Sequence, residues 1–397
     1  MSARTIIIAG AGIGGLTAAL GLARKGFHVE LFEQAPRLEE TGAGIQLSPN
    51  ATRVLTGLGL GSAIEPAIVA PEALVIRTAG GRDVARLPLG AATPRYGAPY
   101  WIIHRADLQA ALLAAVTAND NVTLTLGTAI AGCAAHGDGV TVQTARLAMG
   151  VPQTRASEAD ALIGADGLWS TVRRLIGETE PPRFARRAAW RALVPAESVA
   201  AEFRAPAVHL WLGSGAHLVH YPVKGGAMIN IVAIARAPQP SRGWSTQASA
   251  DEVRARFRRG WAAAARDIVA APAQWLKWPL HDRPPAPFAG CGAVTLIGDA
   301  AHPMLPFLAQ GAAMAIEDAA VLAAVLGSAS DDVAAALRRY EAARGPRTAR
   351  VQRAARRNDT VYHLAWPISA LRDRAMARMG SDGLLARFDW IYGWQPD

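Results

Sequence analysis

The chain has 397 residues, 51% of them apolar and 18% charged, so it is long enough for more than one domain and its composition excludes a disordered protein. The formal net charge is +9, but only three of the 41 basic residues are lysines, and the arginines are dispersed along the chain. This distribution does not indicate a nucleic-acid-binding surface, and we expect no nucleic-acid partner.

The first segment, TIIIAGAGIGGLTAALGLARKGFHVELFEQ, has the pattern of a strand, a turn, a helix and a second strand. Residues 5–9 are apolar and mostly β-branched, and a helical pattern covers residues 13–25. Gly26 ends that helix, and the next strand begins at residue 28. This order predicts a β-α-β unit at the start of an α/β domain.

The turn of this unit carries the GxGxxG pattern at Gly10, Gly12 and Gly15. Such glycines permit a tight turn, a close approach of the backbone to a pyrophosphate and close packing of the helix on the strand. Glu33 ends the second strand, where a carboxylate accepts a ribose hydroxyl and disfavours a 2′-phosphate. The pattern predicts an adenine dinucleotide site but does not distinguish NAD from FAD. The neighbours that we assign to the same site are Ile13, Gly14 and Gln34.

Two later segments have the alternation of antiparallel strands. Residues 73–89 predict a hairpin around Gly80 and Gly81. Between residues 183 and 278, the runs AVHLWLG, HLVHYPV and MINIVAIA are separated by short glycine turns, which is typical of a meander. These segments predict a sheet that is distinct from the dinucleotide unit.

Two further strand-like runs end in an acid, at Asp166 in ALIGADGLWSTVRR and at Asp299 in AVTLIGDAAHPMLPFLAQGAAMAIEDAA. The first segment also reads as an ordinary turn followed by a surface helix, and two such turns in one chain more often arise by chance. Their order after the glycine turn makes chance a poor explanation. Gly311 then opens an alanine-rich helical pattern, which runs on into a largely helical C-terminal part.

These three motifs, in this order, resemble those of the single-component FAD-dependent aromatic hydroxylases, which have the 4-hydroxybenzoate hydroxylase fold. The form PFLAQGAAMAIEDA is similar to the branch that contains salicylate and 6-hydroxynicotinate hydroxylases. The resemblance also covers GAGIQLSPNATRVL, HRADLQAALL and HYPVKGG, and so spans most of the chain.

The resemblance implies a discontinuous FAD-binding domain into which the antiparallel sheet that binds the substrate is inserted. We assign residues 1–72, 90–182 and 279–360 to the FAD-binding domain and residues 73–89 and 183–278 to the sheet. The C-terminal helical segment comprises residues 361–397, and we expect its apolar side chains to pack on the protein rather than on a membrane.

The resemblance also implies which residues hold FAD. Glu33 would bind the adenosine ribose, Arg105 and Gln109 would lie near the phosphate and ribityl groups, and Asp299 would bind a ribityl hydroxyl. Asp166, with Arg173, would lie where FAD meets NADH or NADPH. The remaining contacts, including the helix N-terminus that would stabilise the reduced flavin, are Gly44, Pro306, Gly311, Ala312 and Ala313.

The implied activity is hydroxylation of a small aromatic or heteroaromatic acid, salicylate-like or hydroxynicotinate-like, with NAD(P)H and O2 through a C4a-hydroperoxyflavin. Ionisation of a phenol activates its ring, so a base or proton relay near the substrate oxygen favours the reaction. The alternatives are a flavoprotein reductase or epoxidase on the same scaffold and, in another class, a non-catalytic redox sensor.

Candidates for the base lie on HLVHYPV, where His217 and Tyr221 share one face and His220 lies on the other. We favour Tyr221 and His217 as catalytic residues, although Tyr221 reads equally well as a core aromatic. His302 lies within a cofactor motif and is expected to be structural or a flavin contact. The residues expected to line the ring cavity are Gln46, Trp211, Met228 and Pro306.

Cys133 and Cys291 are the only cysteines, and their separation favours neither a disulfide framework nor a metal site. No uncharged apolar run approaches the ~18 residues that span a bilayer. We therefore expect a cytoplasmic monomer or homodimer with no metal and no membrane contact.

Overall fold

The computed structural model describes residues 4–38, 43–148, 151–240, 245–329 and 332–396. Gly42, the first residue of the GAGIQLSPNATRVL segment, lies outside these ranges. The strands in chain order are β1 (Thr5–Ala9), β2 (His28–Glu33), β3 (Gly44–Leu47), β4 (Ala73–Thr78), β5 (Asp83–Leu87), β6 (Trp101–His104), β7 (Val122–Leu126), β8 (Thr128–His136), β9 (Gly139–Ala148), β10 (Val151–Ala159), β11 (Ala161–Gly164), β12 (Arg183–Pro195), β13 (Ala207–Gly213), β14 (Ala216–Val223), β15 (Met228–Arg236), β16 (Thr246–Ser249), β17 (Gln274–Asp282) and β18 (Val294–Leu296).

The α-helices alternate with the early strands and then dominate the C-terminal part. In chain order they are α1 (Ile13–Ala23), α2 (Pro49–Gly57), α3 (Gly61–Ile64), α4 (Ala92–Tyr96), α5 (Arg105–Thr117), α6 (Thr171–Leu175), α7 (Ala250–Arg254), α8 (Ala263–Ala270), α9 (Gly311–Gly327), α10 (Val333–Tyr362), α11 (Ile368–Ala386) and α12 (Asp389–Tyr392).

A five-stranded parallel sheet, in the order β18-β11-β1-β2-β7, organises the dinucleotide-binding part. Strand β1 is buried throughout its centre, where Ile6, Ile7 and Ile8 are fully inaccessible, because helices cover a parallel sheet. Burial of each such side chain contributes about 1.5–3 kcal/mol. The strands are parallel, so the turns after β1, β11 and β18 meet at one edge of the sheet.

An eight-stranded sheet, in the order β16-β17-β12-β15-β14-β13-β4-β5, forms the second part. Both segments that we expected to be strand-rich contribute to it, although the limits of the two domains stay a prediction. All its pairings are antiparallel except that of β4 with β13, which is parallel. The expectation of a purely antiparallel sheet is corrected at this one pairing.

Helices α7 and α8 cover one face of the large sheet, which the strand-rich reading of residues 183–278 missed. Their side chains Val253 and Ile268 pack against Trp190, Trp211 and Leu218 of the sheet in one apolar cluster. The opposite face of the sheet is directed towards the edge of the parallel sheet. The space between the two parts is therefore walled by strands on one side and by turns on the other.

Two smaller sheets complete the described structure, one of β8, β9 and β10 and one of β3 and β6. At the C-terminus, Leu385, Ile391 and Tyr392 are buried in a cluster with Tyr96 and Tyr100. Among the helices of the described residues, none is long and apolar enough to cross a membrane.

Candidate active site

A cavity of about 340 Å³ lies between the edge of the parallel sheet and the large sheet. The turns after β1, β11 and β18 and the start of α9 form one wall, and β12, β14 and β15 form the other. The structure thus brings together residues from segments far apart in the chain. The predicted site residues that line the cavity are Gly12, Ile13, Gly14, Gly44, Gln46, Arg105, His217, Tyr221, Asp299, Pro306, Gly311 and Ala312.

Each of the three glycines of the first turn is required for a different structural reason. Gly10 has a φ of +101°, and a Cβ there would lie 2.5 Å from the carbonyl oxygen of Ala165. A Cβ on Gly15 would lie 1.9 Å from the carbonyl oxygen of Gly10, so helix α1 packs directly on its own turn. A Cβ on Gly12 would meet no atom within 4 Å, because Gly12 borders the cavity. This open backbone fits the close approach of a pyrophosphate.

Glu33 and Gln109 hold this turn in place. The two carboxylate oxygens of Glu33 accept hydrogen bonds from the amides of Ala11 and Ala35, both at 2.8 Å. The Gln109 amide donates to the carbonyl oxygen of Ala11 at 3.3 Å. Gln34 is exposed immediately after β2. These residues lie at the turn rather than on the cavity wall, and their contacts with a nucleotide stay predictions.

Asp299 projects into the cavity from the short turn after β18. Within the described residues its carboxylate accepts no hydrogen bond, so its lone pairs are directed at whatever fills the cavity. Desolvation of the carboxylate raises the pKa of Asp299, while the charges of His302 and Arg105 oppose that shift. A polyhydroxyl chain such as ribityl would supply the donors that this carboxylate lacks.

The N-terminus of α9 faces the same space. Gly311 and Ala312 line the cavity, whereas Ala313 is fully buried one residue further into the helix. Pro306 lines the cavity from the preceding turn, which reaches α9 through Ala309 in the left-handed conformation. The first-turn amides of a helix have no intrahelical partner, so they favour an anionic group in the cavity.

A buried ionic network, which the sequence analysis missed, anchors α9. Arg344 contacts Glu317 and Asp318 at 2.7 Å each, and Asp318 also contacts His302 at 2.6 Å. Burial alone raises the pKa of Asp318, but His302 and Arg344 outweigh it and lower that pKa to about 2. His302 therefore lies behind the cavity wall as a structural partner. The acid pair inside the apolar run AIEDAA was the available signal, since buried acids require partners.

Asp166 and Arg173 do not reach the cavity. The carboxylate of Asp166 accepts hydrogen bonds from the amides of Thr171 and Val172, at the start of helix α6, whose N-cap is Ser170. Arg173 donates to the carbonyl oxygens of Ala300 and Ala301 at 2.9 and 2.8 Å. Both side chains therefore stabilise the turns that border the site. Their predicted roles towards FAD and NAD(P)H stay untested.

The strand wall is a patch of aligned side chains on β12, β15 and β14. Strand register places His217 beside Ile234, Val219 beside Val232, and Tyr221 beside Asn230. Arg191 of β12 is aligned with Val232 on the same face. The wall is consequently apolar at its centre, with one imidazole, one phenol and one guanidinium around it.

Arg191 is a cavity residue that the sequence analysis did not identify. Its guanidinium stacks 4.5 Å from the ring centroid of Trp278 and forms no ion pair within the described residues. Burial lowers the pKa of Arg191 to about 10, with Tyr221 raising it and Arg105 lowering it. The only signal in the sequence was an arginine within the strand segment AWRALVP, and the face of the sheet that this side chain occupies depends on the strand register.

His217 lines the cavity and contacts His363 behind it. His217 Nδ1 lies 2.8 Å from His363 Nε2, and His363 Nδ1 lies 2.6 Å from the carbonyl oxygen of Asp359 and 3.1 Å from its carboxylate. Both Asp359 atoms are acceptors, so His363 carries its proton on Nδ1 and accepts at Nε2. His217 then carries its proton on Nδ1, and its Nε2 is a proton acceptor. Burial and the neighbouring His363 and Arg187 lower the pKa of His217 well below its usual value, which keeps it neutral.

Tyr221 is held at the other end of the patch. Its hydroxyl donates to the carbonyl oxygen of Gly44 at 2.8 Å, and the Gly44 amide donates to Asn230 at 2.8 Å. Burial raises the pKa of Tyr221 to about 12, although Arg191 and a hydrogen bond with Gln46 oppose the shift. Tyr221 is therefore a neutral phenol at physiological pH.

Trp211 and Met228 do not line the cavity. Trp211 pairs with Leu218, so it lies on the far face of the sheet, where its indole N–H donates to His220 at 3.0 Å. The expectation that Trp211 contacts the substrate is wrong, because strand alternation directs it into the opposite core. Met228 is on the cavity side but lies beyond Tyr221, beside Val223, where it packs in another cluster.

A family model described as "FAD binding domain" matches residues 3–355. The 3-hydroxybenzoate 6-hydroxylase 1 of Aquipseudomonas alcaligenes is 38% identical over 393 residues, which cover 98% of this chain and 97% of that protein. The 3-amino-4-hydroxybenzoate 2-monooxygenase of Streptomyces cremeus is 40% identical over 392 residues, which cover 98% of this chain and 94% of that protein.

Among solved structures, a substrate complex of salicylate hydroxylase has a TM-score of 0.82 and 27% sequence identity with this chain. The superposition covers 99% of this chain and 96% of that one. The similarity therefore includes both sheets and the C-terminal helices.

Proposed function

Because the chain belongs to the FAD binding domain family, and its relatives are aromatic hydroxylases, we propose that it hydroxylates a small aromatic carboxylate that already carries a hydroxyl group. The resemblance inferred from the three motifs and the FAD-binding α/β fold are confirmed by this membership. The protein is an FAD-dependent monooxygenase, for which NAD(P)H and O2 are the proposed co-substrates.

The observation that carries this proposal is that Arg191 and His217 lie on the same cavity wall. Arg191 lacks an acidic partner within the described residues, and its planar fork of donors matches a carboxylate. A bound aromatic carboxylate would supply the missing charge and form charge-assisted hydrogen bonds. The apolar side chains of Val232 and Ile234, on the intervening strand β15, lie between the two polar groups and suit the ring face.

His217 is the proposed base for the substrate hydroxyl. Its Nε2 is a proton acceptor, and its position in the cavity leaves that atom to a ligand. Transfer of the phenolic proton to Nε2 would leave an electron-rich phenolate ring, which is the more reactive form towards an electrophilic oxygen. Tyr221 is a neutral hydrogen-bonding neighbour rather than a base, because its pKa of about 12 keeps it protonated.

The opposite wall fits FAD. Gly12 would lie against the pyrophosphate, Asp299 would accept from the ribityl chain, and the α9 amides would face the flavin ring. FAD supplies the electron transfer from NAD(P)H and the activation of O2. The two ligands would meet in one cavity, where the apolar side chains of Val219, Ile234 and Pro306 would help to exclude water from the reacting atoms.

The test is a substrate panel on the FAD-loaded protein. NAD(P)H oxidation and O2 uptake are measured with 3-hydroxybenzoate, 3-amino-4-hydroxybenzoate and salicylate, and with the corresponding carboxamides. We expect at least one acid to stimulate both rates and to yield a product heavier by one oxygen atom in mass spectrometry. Stimulation without such a product would instead indicate a reductase, and no stimulation by any acid would refute the proposal.

A further inference from the structure

A surface hollow lies directly behind His217, on the side away from the cavity. Arg187, Gly215, Asp359 and His363 line it, together with residues of β14 and β15. His217 lines the active-site cavity, and His363 lines the hollow, while the two imidazoles are in contact. Two side chains therefore separate a buried reaction chamber from a space open to solvent.

The hydrogen bonds between these groups have a single direction. His217 Nδ1 donates to His363 Nε2 across 2.8 Å, and His363 Nδ1 donates towards Asp359. Each imidazole thus has an acceptor nitrogen towards the cavity and an N–H away from it, and the N–H of His363 is directed at Asp359, which lines the hollow. This is the arrangement that permits a proton to enter at one ring edge while another leaves from the opposite edge.

The charged groups around His363 suit transient protonation. Asp359 faces it from the preceding turn of α10, and Arg187 of β12 holds that carboxylate at 2.7 Å. Burial raises the pKa of Asp359, but the His363 hydrogen bond and the Arg187 charge outweigh it and lower the pKa. Asp359 therefore remains an anion that compensates an imidazolium. The other charged groups on the hollow are Arg236 and Arg256, which favour release of the proton to water.

We propose that His217 and His363 form a proton path from the substrate hydroxyl to the surface hollow, with Asp359 as the positioning residue. This inference rests on the proposed function, since it needs a substrate hydroxyl that ionises. The phenolic O–H bond breaks and its proton binds His217 Nε2, while the Nδ1 proton of His217 passes to His363 Nε2. The Nδ1 proton of His363 then passes to water by way of the Asp359 carboxylate, which lines the hollow and is an anion again once the proton has left.

One proton leaves the cavity for each phenolate formed, and no electrons are transferred. The same path in reverse delivers a proton to the product phenolate and restores both starting tautomers. Without His363, a proton accepted by His217 would have no exit, and the buried imidazole would have to hold a positive charge. Substrate ionisation, rather than substrate binding, is the step that depends on His363.

The test uses the FAD-loaded protein and a phenolic acid that binds in the substrate panel. Stopped-flow absorbance follows the phenolate band after mixing, while flavin spectral changes report binding. We expect His363→Ala to bind the acid normally and to form phenolate at least about tenfold more slowly, as expected when a proton-transfer group is lost. Imidazole in the buffer should enter the open hollow and restore the rate in proportion to its concentration.

His136→Asn is the matched control, because His136 is an exposed histidine that pairs with Glu158 on the β8-β9-β10 sheet. It should ionise the substrate at the wild-type rate and show no response to imidazole. Phenolate formation at the wild-type rate in His363→Ala would overturn the proton path while leaving the proposed function intact. Failure of the wild-type protein to bind any phenolic acid would instead overturn the proposed function.

A second measurement covers the case in which His363→Ala does not fold. Asp359→Asn keeps an acceptor oxygen near His363 Nδ1 but removes the compensating charge, so we expect slower phenolate formation with unchanged binding. Wild-type phenolate formation should also be slower in D2O than in H2O, because protons move in the step. Wild-type rates in Asp359→Asn together with no isotope effect would overturn the proposal.

Discussion

Replacement of Arg191 by methionine tests the substrate assignment most directly. The side chain has no acidic partner within the described residues, so its charge is available to a bound carboxylate. A hydrogen bond to a charged group contributes about 1.5–3 kcal/mol. At about 1.4 kcal/mol per tenfold change, Arg191→Met should weaken carboxylate binding roughly 10- to 150-fold.

The assay is a titration of the FAD-loaded protein, followed by flavin absorbance or fluorescence, with a hydroxybenzoate and with its carboxamide. Arg191→Met should weaken binding of the acid and leave the uncharged amide nearly unaffected. Arg191→Lys should give an intermediate loss, because it keeps the charge but not the planar fork. The control is Arg183→Met, at the exposed start of the same strand β12, which should change neither affinity.

Folding should not limit this experiment, because Arg191→Met removes a desolvated charge rather than one half of an ion pair. We expect thermal unfolding of the variant at or above the wild-type temperature. If Arg191→Met weakened the binding of the acid and of the amide equally, Arg191 would shape the cavity without binding the carboxylate. Unchanged binding of the acid would refute the assignment.

Three further variants follow from the site. Asp299→Ala should lose most of its FAD affinity, measured by flavin retention on desalting, whereas Asp299→Asn should keep part of it; full retention in both would exclude Asp299 as a cofactor ligand. Tyr221→Phe should retain FAD and release more hydrogen peroxide per NAD(P)H oxidised, because Gly44 loses its hydroxyl partner; wild-type coupling would remove Tyr221 from the mechanism. Arg344→Met should lower the free energy of unfolding by about 3–5 kcal/mol, since it removes the buried cation between Glu317 and Asp318 and leaves them only Arg347 and His302 as charged partners; a negligible loss in denaturant titration would contradict this. Because the pKa of Asp318 is lowered to about 2, its stabilising contribution is present above pH ~4 and is lost as the pH falls towards 2, which acid unfolding of the wild type would detect.

Local sequence predicted the glycine turn and the start of α9, because the rules that govern these elements are local. Gly10 and Gly15 are required by atoms of the same β-α-β unit and the turn beside it, and Gly311 starts α9 as expected. The parallel strands that precede Asp166 and Asp299 were also recognisable from apolar runs. The apolar runs could not show which of the two acids reaches the cavity. The carboxylate of Asp166 accepts hydrogen bonds from amides at the start of α6, whereas that of Asp299 faces the cavity.

The substrate half depended on strand register and on long-range contacts. Alternation along β14 correctly separated His217 and Tyr221 from His220, but it could not show which face meets the flavin-binding turns. Trp211 was assigned to the wrong face for this reason. His363, 146 residues after His217 in the chain, had no local signal at all.

The amino-acid sequence by itself determined the class of cofactor and the order of the elements, since glycine turns, caps and apolar periodicity act within a few residues. The tertiary structure decided the chemistry of the substrate wall. It did so by bringing Arg191 of β12 and His217 of β14 to the same face of the sheet and by placing His363 and Asp359 behind His217. An ionisable side chain acquires its function from the groups that surround it, and those groups come from distant parts of the chain.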